Sequence, residues 1–334
     1  MAKSTNFDVR YDRRVDADFL DLFKPAGPLA RLTEISRRAA FPLDLQMRRD
    51  PRHPNKQWAT LYVGLTGVLY VYKTVQGVRF DAHNTWSGKD EKNSKYGFGK
   101  LWLNELSLSQ LEESWMAVEL YLEKVIPAAV RSHGLTEGAV QAVVSNSKTT
   151  DWAILDREVL PSYRDASYKK DMLLAAMRPI LAVKEHVQAL GQAIPGGPTS
   201  LGAECDLLAV DTNGRVLAIE VKPASGGTVA WVPAQAAMYA RLLQQWIDAE
   251  PEHSREVITG TLLQRQALGH STEFNTALPA KLTVTPVVVL QRGATSGAIG
   301  QMRAVRDVIN ARVKGLAPIE IYEVSILGDF TPLP

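Results

Sequence analysis

The chain has 334 residues, 46% hydrophobic and 22% charged, which is enough to fill two cores and excludes a disordered or low-complexity polymer. With 38 basic against 36 acidic residues the formal charge is +2, too near zero to select a partner by total charge. One cysteine, Cys205, excludes an internal disulfide framework. The opening MAKSTNFDVRYDRR has no apolar signal core and no run long enough to span a bilayer follows, so a cytoplasmic protein is expected.

Weak helical patterns cover Asp16–Phe23 and Leu29–Ala40. Arg48, Arg49, Arg52, His53 and Lys56, broken by Pro51 and Pro54, read as a solvated basic loop. From Gln57 a meander of three short strands turns at Gly64–Gly67 and Gln76-Gly77. Its Trp58, Tyr62, Tyr70 and Tyr72 are spaced for stacking on bases, but aromatic stripes on strands usually pack, so half of a hydrophobic core is expected. Residues 84–100 are polar and Gly-rich, hence a loop. Ser107 with Gln110, or Ser109 with Glu112, then makes a capping box ahead of Leu111, Trp115, Val118, Leu122, Val125 and Ala129 at helical spacing. Pro127 should bend or end that helix. SHGLTEG and SNSKTT interrupt the pattern between 132 and 150, so two domains are expected, 1–145 and 146–334.

SYKKDMLLAAMRPILAVKEHVQAL is helical, with Pro179 kinking or restarting it, and AIPGGPTSLG is a loop or a short first strand. Two apolar runs follow, CDLLAV with Asp206 and VLAIEVKP with Glu220 and Lys222, separated by DTNG. Side chains alternate along a strand, so Glu220 and Lys222 share a face. A two-residue Asn213-Gly214 turn would point Asp206 the other way. A three-residue loop of Thr212, Asn213 and Gly214, with Gly214 in the left-handed region, sets Asp206 opposite Glu220. The second register is expected. Two facing carboxylates suit a hard divalent cation such as Mg2+ or Mn2+, and the Lys222 ammonium beside them suits an attacking water and a phosphate.

An Asp on one strand and Glu-x-Lys on the next resembles the PD-(D/E)xK nuclease superfamily, with Cys205 where the family name has proline. Pro233 opens a following helix that carries Gln235 and Tyr239 four apart, which resembles the RecB-like branch with its Gln-x-x-x-Tyr helix. The similarity covers roughly residues 165–250. It implies an α/β, restriction-endonuclease-like mixed sheet flanked by helices, here preceded by an α+β domain with an antiparallel meander. It also implies a metal held by Asp206, Glu220 and the Val221 carbonyl, with a further acid on the preceding helix. Asp171 fits that place best, with Glu158 and Glu185 as alternatives, while Glu204 could pair with Lys222 or lend a ligand. By the same resemblance Lys222 positions water, Gln235 orients the site and Tyr239 faces nucleic acid.

Residues 250–280 look polar and irregular, KLTVTPVVVLQRG is a β-branched strand, and PIEIYEVSIL closes as a last strand. Between them Gly293–Gly300 reads as a plain turn into a helix carrying Arg303, Arg306, Arg312 and Lys314. No zinc spacing, nucleophile elbow or dinucleotide fingerprint occurs. The expected function is metal-dependent hydrolysis of phosphodiester bonds in DNA, with RNA and a homodimer left open and no membrane partner. The alternative is a catalytically inactive nuclease-like fold that binds nucleic acid or protein.

Overall fold

A computed structural model describes residues 7–38, 43–87, 96, 104–133, 137–147, 151–191, 194–224, 229–271 and 277–334. The chain forms two compact units, one of Asp12–Asn146 with Leu263–His270 and one of Met1–Tyr11, Ser147–Leu262 and Ser271–Pro334. A single cut at residue 145 therefore misses two exchanged segments. No helix among the described residues is long and apolar enough to cross a membrane. The first strand, β1 (Val9–Arg10), belongs to the C-terminal unit.

In the N-terminal unit, α1 (Ala17–Asp21) and α2 (Ala30–Arg38) precede an antiparallel sheet ordered β2-β3-β4-β5-β6. Its strands are β2 (Leu43–Asp50), β3 (His53–Val63), β4 (Thr66–Lys73), β5 (Gly77–Asp81) and β6 (Leu106–Ser107), with α3 (Asn84–Ser87) between the last two. The basic segment expected as a loop is instead the β2–β3 hairpin. Asp50 Oδ1 closes its turn by accepting from the Arg52 and His53 N–H groups at 2.8 and 3.3 Å. Pro54 is tolerated because it lies in a register shift of β2–β3 and beyond β4, whose pairing with β3 begins at Trp58. Most of the expected 84–100 loop lies outside the described residues.

Leu45, Ala59, Leu61, Leu69, Val71 and Phe80 form the core face of this sheet, packed with Leu111, Trp115, Val118 and Leu122 of α4 (Leu108–His133). Trp58, Tyr70 and Tyr72 have the opposite parity, stay partly exposed, and do not join that core, contrary to the expectation. The Gln110 side-chain oxygen accepts from both the Ser107 N–H and hydroxyl at 2.9 Å, which supplies the back-reaching bond of the anticipated capping box. The Ser107 hydroxyl donates to the Gln110 side chain instead of accepting from its N–H. Pro127 neither ends nor replaces the helix, which continues to His133. Burial of Val125, Ala128 and Ala129 around it offsets the lost backbone bond. A further helix, α5 (Glu137–Ser145), occupies part of the stretch read as a boundary. Its Ser145 hydroxyl donates to the buried Asp44 at 2.6 Å, closing one end of the sheet's reverse face.

The C-terminal unit holds a mixed sheet ordered β13-β12-β11-β10-β9-β7. These are β7 (Trp152–Val159), β9 (Cys205–Asp211), β10 (Val216–Lys222), β11 (Val284–Gln291), β12 (Glu320–Val324) and β13 (Phe330–Pro332), while β8 (Ser162–Tyr163) pairs β1. Strands β10, β11 and β12 run parallel, and β7–β9, β9–β10 and β12–β13 are antiparallel. Helices α6 (Ala166–Leu181), α7 (Lys184–Gln188), α8 (Val232–Ala249), α9 (Pro251–Ala267) and α10 (Ser296–Arg312) flank it. Pro179 sits in the last turn of α6 and α7 restarts the helix. Strand β7 was not anticipated, residues 194–204 form no strand, and α9 replaces the irregular stretch. Helix α9 opens on Pro251 and buries Val257, Ile258 and Leu262 along an otherwise polar sequence, so its periodicity is faint. Trp152 meets Tyr322 and Phe330 at 4.8 Å between ring centroids, although β7 and β12 are four strand spacings apart, ~19 Å in a flat sheet. The sheet is therefore strongly coiled.

Candidate active site

The β9–β10 hairpin fixes everything downstream. The Asp211 N–H donates to the Arg215 carbonyl at 3.0 Å, and the Gly214 N–H donates to the Asp211 carbonyl at 2.9 Å. The Asp211 carboxylate accepts from the Asn213 and Arg215 N–H groups at 2.9 and 2.8 Å, and Gly214 has φ +75°. The loop is thus Thr212, Asn213 and Gly214. Pairing runs Val216 with Val210 through Ile219 with Leu207. One step further sets Glu220 across from Asp206 on the face that carries Leu208 and Ala218.

At that step the backbone ladder gives way to a side chain. Asp206 Oδ2 accepts from the Val221 N–H at 2.7 Å, so the carboxylate stands in for a strand carbonyl and is held in place by β10. Glu220 is 1% exposed, and its Oε1 lies 2.8 Å from Lys222 Nζ. Among the described residues its Oε2 is buried without a hydrogen-bond partner. Ligand oxygens of Asp206 and Glu220 come within 4.8 Å of one another. Burial first, and the Asp206 charge second, hold the Glu220 carboxyl well above the usual range, against the pull of Lys222. Two carboxyls so placed need a proton or a cation between them.

Helix α8 supplies the roof. Pro233 lies in its first turn, and Ala236, Ala237, Ala240 and Leu243 are buried, so the helix packs closely on β10 and β11. Tyr239 is buried and hydrogen-bonded by Gln235. Burial, followed by the negative groups at Glu220, Cys205 and Asp206, pushes the Tyr239 hydroxyl up, so it stays a neutral donor. A Cβ on Gly202 would stand 3.0 Å from that hydroxyl, so glycine there lets the loop before β9 lie close over Tyr239. Trp231 Nε1 donates to the Pro195 carbonyl at 2.8 Å and pins the same loop. The Cys205 thiol is buried, bonded to the Leu207 carbonyl at 3.2 Å and pushed up by burial, so it is an inert packing group.

The structure thus brings together Asp206, Glu220 and Lys222 of the expected set, with Gln235 and Tyr239 in the helix beside them. Val221 is fully buried and engages Asp206 through its N–H. Asp171 is exposed on α6 and Glu185 on α7, and neither is among the described acids that cluster within metal-ligand range. Glu204 is also exposed. Glu158 lies on β7, a strand rather than a helix, between the Arg157–Leu207 and Val159–Cys205 pairs and therefore across from Asp206, in a left-handed conformation with φ +52°. One supporting residue was missed. Gln291, at the end of β11, accepts from the Ala224 N–H at 3.2 Å and fixes the chain just after Lys222. A glutamine at the end of an apolar strand gives no sequence signal for such a role. Comparison with family models, curated proteins and solved structures finds no match to this chain.

Proposed function

We propose that this chain hydrolyses phosphodiester bonds in DNA with the help of Mg2+ or Mn2+, on a sheet of the restriction-endonuclease-like type. The observation that carries the reading is Glu220, a buried carboxylate with an orphaned oxygen, facing Asp206 and touching Lys222. A buried acid pair without compensation is costly, and oxygen-rich pairs of this kind fit hard divalent cations. Asp206, Glu220 and the Val221 carbonyl would hold the cation. When bound, it would neutralise phosphate charge and make a water oxygen a better nucleophile. Lys222 holds the water that attacks phosphorus and offsets the charge that builds as the phosphorus–oxygen bond to the leaving strand breaks. Gln235 and Tyr239 shape the wall against which the strand lies. Asp171, exposed on its helix, has no part in this assignment.

The test is cleavage of linear, circular and single-stranded substrates with Mg2+ or Mn2+ and with EDTA. The wild-type protein should cut only with metal, and Lys222→Ala should lose about 100-fold or more in rate while remaining folded. Wild-type cutting by Lys222→Ala would overturn the reading. Binding without turnover in either metal would favour the inactive, binding-only alternative.

A further inference from the structure

The reverse face of the N-terminal sheet carries a continuous row of side chains that the core does not use. Pairing places Arg48, Trp58, Tyr72 and Arg79 side by side across β2, β3, β4 and β5, with Thr60, Tyr70 and Asp81 in the next row. The Trp58 and Tyr72 rings lie 6.2 Å apart at 34°, and Tyr70 and Tyr72 lie 6.3 Å apart at 39°. The Arg79 guanidinium sits over the Tyr72 ring at 4.8 Å. The core-face neighbours Ala59, Leu61, Leu69, Val71 and Phe80 are at most 1% exposed, whereas Trp58, Tyr70 and Tyr72 keep part of their surface open. Helix α5 seals the Asp44 end of this face and leaves the Trp58–Tyr72–Arg79 end uncapped by it.

We propose that this row is a stacking platform for unpaired nucleic-acid bases. The partly exposed Trp58 and Tyr72 rings, inclined but not locked edge-to-face, offer π surface to bases, and stacking tolerates any base sequence. Cations lie near the rings. Lys56, two residues before Trp58 on β3, is exposed and has no acidic partner among the described residues, while the Arg79 side chain is 39% exposed and pairs Asp81 at 3.4 Å. A phosphate backbone passing the rings meets Lys56 on β3 and Arg79 on β5. The platform goes beyond the cleavage reading and does not rest on it.

The experiment uses the full chain carrying Lys222→Ala, in EDTA, so that binding is read without cutting. Fluorescence anisotropy is measured with a labelled oligothymidylate, and with the same strand in a duplex. The single strand should bind more tightly. Trp58→Leu and Tyr72→Leu should each weaken binding at least about 5-fold, while Trp58→Phe, which keeps a stacking face, should retain most of it. Lys56→Glu, an exposed change that leaves the core untouched, should weaken binding and flatten its salt dependence. Equal affinity for single strand and duplex, or unchanged binding by both leucine variants in folded protein, would overturn the platform. Loss in Lys56→Glu without loss in the leucine variants would also overturn it, since it would reveal electrostatic contact alone. Cleavage by the wild-type chain is scored separately, so each reading can fail without the other.

Discussion

Glu220 sets burial against charge, and the consequences are read in pH. Its folded carboxyl titrates well above the ordinary glutamate value of 4.5 because ionisation inside the sheet, beside Asp206, is unfavourable. A folded value above the unfolded one means that metal-free stability is fullest below about pH 4.5 and declines as pH rises through the raised value. Glu220→Gln removes that titration. The urea midpoint of the metal-free variant should therefore fall less between pH 5 and pH 8 than that of the wild type; parallel declines would show that Glu220 is not the group responsible. Lys222, 20% exposed, lies 2.8 Å from the Glu220 carboxyl, and its charge opposes the carboxyl's upward shift without overcoming it. The alternation of Glu220 and Lys222 made their shared face legible in the sequence. The orphaned Oε2 was not legible, because it depends on what α8 covers.

At the scale of elements, the hairpin was readable because its turn obeys local rules: an Asx turn at Asp211 and a glycine where φ is positive. Register matters here more than strength, since a one-residue slip would send Asp206 to the opposite face. A Cβ at Gly214 would meet Pro279 Cδ at 2.7 Å in addition to the φ of +75°. Gly214→Ala should cost about 1–2 kcal/mol by chemical denaturation and weaken metal binding with it; a neutral result would mean that the loop is not what holds the register. Other elements were hidden for physical reasons. The two prolines concealed the β2–β3 hairpin, because one sits at its turn and the other in a bulge where no ladder bond is lost. Helix α9 was diluted by its polar face. The aromatic row was assigned to the core because aromatic stripes on strands usually pack, although its parity already separated Trp58, Tyr70 and Tyr72 from Ala59, Leu61, Leu69 and Val71.

At the scale of the whole molecule, the sequence suggested one boundary and the chain has a more interlaced division. No local pattern announces that β1 returns to the C-terminal unit, since its partners lie far along the chain. Val9 pairs Tyr163, Arg10 Nη2 binds Glu250 at 2.6 Å, and the Tyr11 hydroxyl donates to Asp156 while its ring meets Trp246 edge-on at 5.3 Å. Trp246 is fully buried, so a fragment comprising residues 147–334 would expose it. That fragment should melt well below the corresponding transition of the full chain. Tyr11→Ala should cost about 3 kcal/mol in the intact protein. A fragment as stable as the parent would contradict the assignment of β1.

The central claim is that Asp206 and Glu220 form one cation site. The most direct measurement is an electron paramagnetic resonance titration of the full chain with Mn2+, counting bound ions for the wild type, Asp206→Asn and Glu220→Gln. The wild type should hold one Mn2+ that both variants lose while remaining folded. Undiminished Mn2+ binding by Glu220→Gln and Asp206→Asn would contradict it.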